Sequence, residues 1–402
     1  MVPTKATLLL AAAMLTTLGT APPASALHLD GSGQCTFPAE QIKGTPWSLQ
    51  RVLLDQLWQG TDQGKGIRVA VIDTGVDDKN PQLAGAVDKA AGRDYLTKGK
   101  GGDPTNDEVG HGTKVAGIIA ARPHKGTGFV GLAPKATIIP IRQNDADNSG
   151  DSDTMAQAIL YAVDKGADVI NISQDTTKPL SGTSALAQAV RKAIEHNVVV
   201  VASAGNDGLD GKVKNTYPAA FDGVLAVASS DRNNERASFS QAGPFVGVAA
   251  PGVDIVSTVP GGGQCTDSGT SFSAPFVAGV AALLKEKHPD WTTAQIVTQI
   301  EQTAERSVNG HDNFVGWGVV DPVRAVQTDV TDPPSTPTPD PGPAKAPLPD
   351  VAAFSLAETP EERDRRYATY AMGLTATAVA VIAGTAVVLR DLRRRRRGNL
   401  QG

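Results

Sequence analysis

The sequence has no excess of positive charge outside its last residues, no internal repeat and only two cysteines. The 402 residues include 37 basic and 42 acidic side chains, which gives a net charge of −5. Residues 390–402 contain six arginines and one aspartate and contribute +5, so the rest of the chain carries −10. An acidic body repels a polyanion, which argues against nucleic acid as a partner. Two cysteines allow at most one disulfide within the chain.

Residues 1–26 have the pattern of a secretory signal peptide. Lys5 precedes an apolar run over 6–18, and the small residues Ala24-Ser25-Ala26 offer a cleavage site. The alternative is a buried N-terminal helix. An extension over 27–46 follows, and it is too short to be a folded pro-segment. We therefore expect this extension to wrap the main domain permanently.

The C-terminal end has the pattern of a single-pass membrane anchor. Residues 370–389 contain no charged side chain and match the length of a membrane span, with a soluble helix as the alternative. The arginine-rich tail 390–402 follows directly, so the positive-inside rule predicts a cytoplasmic tail and an extracytoplasmic main domain. Residues 329–369 are proline-rich and predict an extended stalk or linker.

Residues 47–328 predict one α/β domain. Apolar runs rich in β-branched residues, typical of strands covered on both faces, alternate with helical patterns. The predicted strands are 67–73, 137–142, 169–173, 198–203 and 224–229, and the predicted helices are 154–165, 184–196, 271–287 and 292–304. This alternation predicts a mostly parallel central sheet with helices on both sides and reactive groups at the carboxyl ends of the strands.

Three segments supply the parts of an activated serine nucleophile. Asp73 ends the first predicted strand, and His111 stands between two glycines before a helical pattern. Ser271 opens a helix that is apolar on every side over 276–284 and must therefore be buried. A serine hydroxyl attacks a carbonyl only when a histidine takes its proton, and a buried carboxylate orients that histidine. Singly, Ser271 could be a plain N-cap and His111 a structural residue; together the three predict a serine peptidase.

Other polar positions bear on this chemistry. Asn206 follows a predicted buried strand and offers an amide N–H to the negative oxygen that forms when a carbonyl is attacked; the alternative is a turn residue. Pro275 is expected in the first helical turn, where no intrahelical hydrogen bond is lost. Asp77 and Asp78 are alternatives to Asp73, but they lie beyond the turn and are expected to be solvated.

No cofactor and no metal ion is expected. The acidic and amide side chains between residues 145 and 153 could hold calcium. A solvated polar loop is the favoured interpretation of that segment.

The segments around Asp73, His111 and Ser271 resemble those of the subtilisin-like serine peptidases, and the likeness covers residues 67–326. The order Asp, His, Ser is the one found in subtilisin. The resemblance implies a subtilisin-like three-layer fold. It further implies that Asp73 is the orienter, His111 the general base, Ser271 the nucleophile and Asn206 the oxyanion donor.

The resemblance also implies where the substrate binds. Family members bind an extended peptide as an added strand, and the matching stretch here is Asn171-Ile172-Ser173, with Ser173 as a substrate-binding residue. The chain then departs from the family, because Gln174-Asp175 stands where subtilisins usually have an apolar residue and a glycine. That departure leaves the substrate preference open.

The order of segments along the whole chain is similar to that of the mycosins, the membrane-anchored subtilisins of actinobacterial type VII secretion systems. The residues around Trp47, Trp58 and 81–83 are also similar to theirs. This resemblance implies an endopeptidase that cuts exported proteins outside the cell membrane, with protein substrates and the secretion machinery as partners. The alternatives are a structural subunit that stabilises the secretion complex and a general surface protease.

The two cysteines, Cys35 and Cys265, both follow the predicted signal peptide. An even pair in an oxidising compartment predicts one disulfide, with two free thiols as the alternative. Such a bridge would clamp the extension beside the segment that leads to Ser271. Some mycosins carry more cysteines, so the number of cysteines is a point on which this chain departs from them.

Overall fold

The computed structural model describes residues 35–97, 102–145, 150–329, 336–340 and 358–398. The predicted signal peptide 1–26 and most of the predicted stalk 329–369 lie outside these residues. The chain divides into two compact units, Met1–Asp340 and Pro341–Gly402. The first contains the α/β domain and the second contains one long helix.

Seven parallel strands form the central sheet, and the predicted apolar runs account for five of them. The strands are β1 (Arg68–Asp73), β2 (Arg93–Asp94), β3 (Thr137–Arg142), β4 (Val169–Ile172), β5 (Val199–Ser203), β6 (Leu225–Ser230) and β7 (Val246–Pro251). Their order across the sheet is β2-β3-β1-β4-β5-β6-β7, and every neighbouring pair is parallel. The carboxyl ends of β1, β4 and β5 therefore lie side by side, which is where ligands bind in such sheets.

Helices cover both faces of the sheet and give the predicted three layers. The helices of the first unit are α1 (Trp47–Gln50), α2 (Leu54–Leu57), α3 (His111–Ala120), α4 (Ser152–Asp164), α5 (Ala185–Glu195), α6 (Thr270–Lys287), α7 (Thr293–Thr303) and α8 (Pro322–Gln327). Val69 and Val71 of β1 join a core with α3 and α6, whereas Ala70 and Ile72 join a second core with α4 and α5. Alternate residues of a strand point to opposite faces, so each buried strand stabilises both layers.

Helix α6 is buried on all sides, which confirms the interpretation of its apolar stretch. All residues from Phe272 to Lys285 are buried, and the helix begins at Thr270, one residue before the predicted start. A helix surrounded by protein cannot shift without breaking its packing. The N-terminal turn that carries Ser271 is therefore held in a fixed position.

Four strands were not predicted from the sequence. Strand β2 has only two residues, and β7 is built largely from glycine, alanine and proline in place of β-branched residues. An antiparallel hairpin of β8 (Ile255–Thr258) and β9 (Gln264–Asp267) also precedes α6. Short or small-residue segments carry too weak a pattern to stand out, and they become strands because their neighbours supply hydrogen-bond partners.

The N-terminal extension packs along the turn and the second strand of this hairpin. Cys35 is joined to Cys265 by a disulfide, with 6.0 Å between the Cα atoms. Ala39 N–H donates to Gly262 O at 3.0 Å, and Gln264 N–H donates to Glu40 O at 3.1 Å. The described part of the extension thus lies against the segment that leads to Ser271.

We expect the disulfide to stabilise the domain measurably. It spans 230 residues, and in the chain-entropy model a loop of that length is worth about 5 kcal/mol, although measured values are commonly about 2–4 kcal/mol. The double variant Cys35→Ser/Cys265→Ser should therefore unfold at a lower denaturant concentration, with an equal or steeper slope because the unfolded chain without the bridge is less compact, and dithiothreitol should shift the wild type alone. Equal midpoints for the two proteins would rule out a stabilising bridge.

The second unit contains helix α9 (Pro360–Gly398). Within the described residues it is the one helix long and apolar enough to cross a membrane, judged by length and composition. It contains the predicted span 370–389 and continues into the arginine-rich tail.

Candidate active site

Asp73 occupies the carboxyl end of β1 and is completely buried. Its Oδ1 accepts a hydrogen bond from His111 Nδ1 at 2.7 Å and one from Thr74 N–H at 2.8 Å. Burying an ionised carboxylate is costly unless donors surround it, and these two donors offset that cost. The sequence predicted both the strand end and the partner.

His111 is the first residue of α3, and its side chain is one quarter exposed. Burial by itself would lower the pKa of His111, but the charge of Asp73 and the hydrogen bond to it outweigh burial and raise that pKa above 6.5. Gly112, the next residue, has no room for a side chain: a Cβ there would lie 2.0 Å from Gly75 O and 3.0 Å from Asp73 Cβ. The glycine therefore allows the helix to bring His111 onto the end of β1.

A second buried carboxylate, Asp107, holds this arrangement in place. It accepts hydrogen bonds from Thr74 Oγ1 at 2.7 Å, from Gly110 N–H at 2.8 Å and from Thr113 N–H at 2.8 Å. Burial raises the pKa of Asp107 despite these donors. Sequence reasoning missed this residue; the available signal was an acidic side chain four positions before the histidine that opens the helix.

Ser271 is the second residue of α6 and is partly exposed. The aromatic ring of the adjacent Phe272 lies against the His111 imidazole, with 5.3 Å between ring centroids. Among the described residues no hydrogen bond joins His111 to Ser271 Oγ, and no acceptor takes the Ser271 N–H. In peptidases without substrate the serine–histidine hydrogen bond is often long and tightens on binding.

Pro275 is the sixth residue of α6, so the prediction that it lies in the first turn was wrong. Having no N–H, it leaves Ser271 O without the usual partner four residues later. Ser173 Oγ, just after β4, donates to that carbonyl oxygen at 2.8 Å and accepts from Asn171 Nδ2 at 2.9 Å. Because Pro275 leaves Ser271 O free to accept this bond, the Ser173 hydroxyl holds the Ser271 turn at the carboxyl end of β4.

The predicted substrate-binding stretch is only partly available to a substrate. Asn171 and Ile172 are paired with β1 on one side and β5 on the other. An added strand therefore cannot pair with those two residues, and Ser173 is the first residue of the stretch beyond the ladder. Its side chain is buried and committed to Asn171 and Ser271.

Asn206 lies beyond the end of β5 with an exposed side chain. Its Oδ1 accepts hydrogen bonds from Thr270 N–H at 2.9 Å and from Thr270 Oγ1 at 3.0 Å. These two donors fix the orientation of the amide, because only its oxygen can accept them. Among the described residues the Nδ2 group has no acceptor, so it is available to a substrate carbonyl. Sequence reasoning did not identify Thr270 as the residue that orients this amide.

Asp77 is buried, so the expectation that it is solvated was wrong. Its carboxylate accepts hydrogen bonds from Gly261 N–H at 2.6 Å and from Lys79 N–H at 3.1 Å, which holds the hairpin of β8 and β9 near α3. Within the described part of the chain, no group of three or more His, Cys, Asp or Glu side chains is arranged to hold a metal ion. Residues 146–149 of the loop considered for calcium lie outside that part.

Residues 64–318 match the model of the peptidase S8 or subtilase family. This match covers more than half of the chain and includes every residue of the site described above. The chain belongs to the subtilase family. It is therefore a subtilisin-like peptidase, as the segments around Asp73, His111 and Ser271 predict.

Two relatives illustrate how far the likeness extends along this subtilase. Mycosin-4 of Mycobacterium tuberculosis is 38% identical over 392 aligned residues, which cover 87% of this chain and 83% of the relative. Subtilisin E of Bacillus subtilis is 36% identical over 289 residues, which cover 72% of this chain and 73% of the relative. The alignment with the mycosin thus extends well beyond the subtilase domain.

Solved structures of mycosins have the same fold as this subtilase. MycP1 from Mycobacterium smegmatis is 32% identical with a TM-score of 0.65, and the alignment covers 81% of this chain and 92% of MycP1. A chain in the structure of an intact ESX-5 inner membrane complex is 33% identical with a TM-score of 0.65, covering 88% of this subtilase and 92% of that chain. The predicted subtilisin-like fold and the mycosin resemblance are confirmed.

Proposed function

We propose that this subtilase is a serine endopeptidase in which Ser271 is the nucleophile, His111 the general base and Asp73 the orienter. The observation that carries the proposal is the 2.7 Å hydrogen bond between His111 Nδ1 and the buried Asp73, beside the Ser271 turn. With Nδ1 committed to Asp73, Nε2 is the ring nitrogen that can accept the serine proton.

The first half of the reaction forms an acyl-enzyme. Ser271 Oγ attacks the carbonyl carbon of the scissile peptide bond while His111 Nε2 takes its proton, and the carbonyl oxygen becomes an oxyanion. The oxyanion is received by two unpaired donors, Asn206 Nδ2 and the Ser271 N–H. The intermediate then collapses: the C–N bond breaks, and His111 returns the proton to the leaving amine.

The second half of the reaction releases the acyl group. Water attacks the ester carbonyl while His111 Nε2 takes a proton from it, and the same two donors hold the second oxyanion. When the C–O bond to Ser271 breaks, His111 delivers that proton back to the serine oxygen. Asp73 keeps its negative charge throughout and stabilises the imidazolium in both halves.

We further propose that α9 anchors the peptidase to the cell membrane in a single pass. Residues 370–389 are uncharged and the arginines of 390–402 follow them, which supports a cytoplasmic tail and an extracytoplasmic catalytic domain. The domain boundaries then follow the sequence analysis: signal peptide 1–26, extension 27–46, peptidase domain 47–328 and stalk 329–369. Right-side-out membrane vesicles treated with an added protease should protect only the span and the tail, whereas inside-out vesicles should protect the catalytic domain.

The natural substrates we propose are proteins exported by a type VII secretion system. The likeness to Mycosin-4 and to a chain of an ESX-5 inner membrane complex supports this assignment. A second function is favoured by the likeness to the ESX-5 chain, since that chain was solved as part of an inner membrane complex. In this second function the chain stabilises the secretion complex, and proteolysis is secondary.

One comparison separates the two functions. A cell that lacks this chain is complemented with wild type or with Ser271→Ala, and exported proteins are measured by mass spectrometry. If proteolysis is the main function, the uncomplemented cell and the Ser271→Ala cell should show the same defect, with exported substrates left uncleaved in both. If stabilisation is the main function, secretion should be lost in the uncomplemented cell and restored by Ser271→Ala. Identical sets of cleaved products in both complemented cells would contradict the proteolytic role.

A further inference from the structure

A carboxylate that the reaction does not use lies beside the proposed oxyanion donor. Asp175 follows β4 by three residues, and Gly205 follows β5, the neighbouring strand. The Asp175 Oδ2 lies 3.0 Å from the position that a Gly205 Cβ would occupy. Gly205 directly precedes Asn206, so this carboxylate is close to where the attacked carbonyl must bind. The absence of a side chain on Gly205 leaves the carboxylate its space.

The Asp175 carboxylate has no partner among the described residues, in contrast to Asp73, Asp77 and Asp107. No hydrogen bond or ion pair from the described residues reaches it, although its side chain is accessible to solvent. Partial desolvation by the surrounding protein, together with the nearby charge of Asp207, raises the pKa of Asp175 to about 6. Lys178, three residues further on, makes no ion pair with it in the described part of the chain. An ionised carboxylate that has no partner and is partly desolvated is stabilised when a cation binds beside it.

Asp175 also lines the cleft that contains the catalytic histidine. A cavity of about 330 Å³ is bordered by His111, Ser173 and Asp175, with Asp145 adding a second acidic side chain. On its other side Asp175 borders a cavity of about 320 Å³, which is lined by Asp151, Lys178 and the apolar side chains of Met155, Leu180, Leu186 and Tyr217. Acidic groups beside apolar walls suit a side chain with a long aliphatic stem and a cationic head.

We propose that the Asp175 carboxylate binds a lysine or arginine side chain of the substrate on the acyl side of the scissile bond. The inference rests on the proposed peptidase function and names the substrate class of that site. The acyl side follows from geometry, because Asp175 adjoins the 205–206 turn that receives the attacked carbonyl. The residues at 174 and 175 are also where this chain departs from other subtilisins, so the preference belongs to this chain.

The test compares matched peptides on wild type and Asp175→Asn. Internally quenched peptides carry lysine, norleucine or glutamate at each of four positions before the cleavage site, which mass spectrometry identifies. At one position the wild type should favour lysine over norleucine about 10-fold in kcat/KM and should disfavour glutamate. In Asp175→Asn, which keeps the shape and removes the charge, that ratio should fall to about 1 while the norleucine peptide is cut as before.

The pH dependence gives a second readout. Protonation removes the charge of Asp175, so the lysine-to-norleucine ratio should decline as the pH falls below about 6. His111 lines the same cavity and titrates too, but its effect cancels in the ratio. Asp207→Asn is the matched control: it leaves the carboxylate at 175, removes the neighbouring charge and should keep the preference.

Three results would overturn the inference while leaving the peptidase assignment intact. They are equal cleavage of the lysine and norleucine peptides by wild type, a lysine preference that persists in Asp175→Asn, and a preference found only after the scissile bond. If Asp175→Asn behaves as wild type and Asp175→Gly merely admits larger side chains, Asp175 is a steric plug and the proposal fails. The peptide comparison on wild type does not depend on the folding of any variant. Retained activity in Ser271→Ala would instead overturn the proposed function itself.

Discussion

Replacing Ser271 with alanine should lower kcat by about 10⁶-fold, the loss measured for the equivalent change in subtilisin. The hydroxyl is the only group of α6 that is partly exposed beside His111 and able to form an ester, so its loss removes the acyl-enzyme route. The oxyanion donors remain and should leave a small residual rate over water. The measurement is steady-state hydrolysis of a quenched peptide by purified enzyme.

Ser273→Ala provides the matched control for this variant. Ser273 lies two residues further along the same helix, is completely buried and has its hydroxyl near Pro251 O. Its loss should leave kcat within a few-fold of wild type. If Ser273→Ala and Ser271→Ala lose activity equally, the effect belongs to the packing of α6 and the nucleophile assignment is wrong.

Replacing Asp73 with asparagine should lower kcat by about 10⁴-fold, as the same change does in trypsin. Asparagine preserves the shape of the side chain but can donate to His111 Nδ1, which places the wrong tautomer toward the serine. The charge that raises the pKa of His111 is lost as well. The two effects can be separated by the pH profile.

The sign of the pH effect follows from the role of His111 as a base. Only neutral imidazole accepts a proton, so wild-type kcat/KM should rise through an apparent pKa above 6.5. In Asp73→Asn the remaining activity should rise at a lower pH. Asp77→Asn, a nearby buried carboxylate that binds backbone amides of 79 and 261, should keep the wild-type profile. If kcat/KM of Asp73→Asn rises at the same pH as that of wild type, the proposed pairing of Asp73 with His111 is contradicted.

The parts of the fold that the sequence predicted are those with a strong local pattern. Five of the seven sheet strands are continuous apolar runs, and α6 is recognisable because it is apolar on every side. Strand β7 was missed because small residues and proline carry little β preference of their own. The backbone hydrogen bonds between β7 and β6 stabilise the strand, although the local sequence by itself has little preference for it.

The parts of the site that the sequence predicted are those that lie within one motif. Asp73, His111, Ser271 and Asn206 each stand at an element end beside small residues. The hydrogen bond between Ser173 Oγ and Ser271 O joins residues 98 positions apart, and no local sequence pattern predicts it. The burial of Asp77 and the role of Asp107 likewise depend on segments that meet only in the folded chain.

The most direct test of the central claim is covalent labelling with a fluorophosphonate. An activated serine attacks phosphorus, fluoride leaves, and the phosphonylated residue can be located by mass spectrometry after digestion. We expect one adduct, on Ser271, in the folded wild-type protein, and a rate of labelling reduced by orders of magnitude in His111→Ala. An adduct on any other residue, or equal labelling rates for the two proteins, would contradict the central claim.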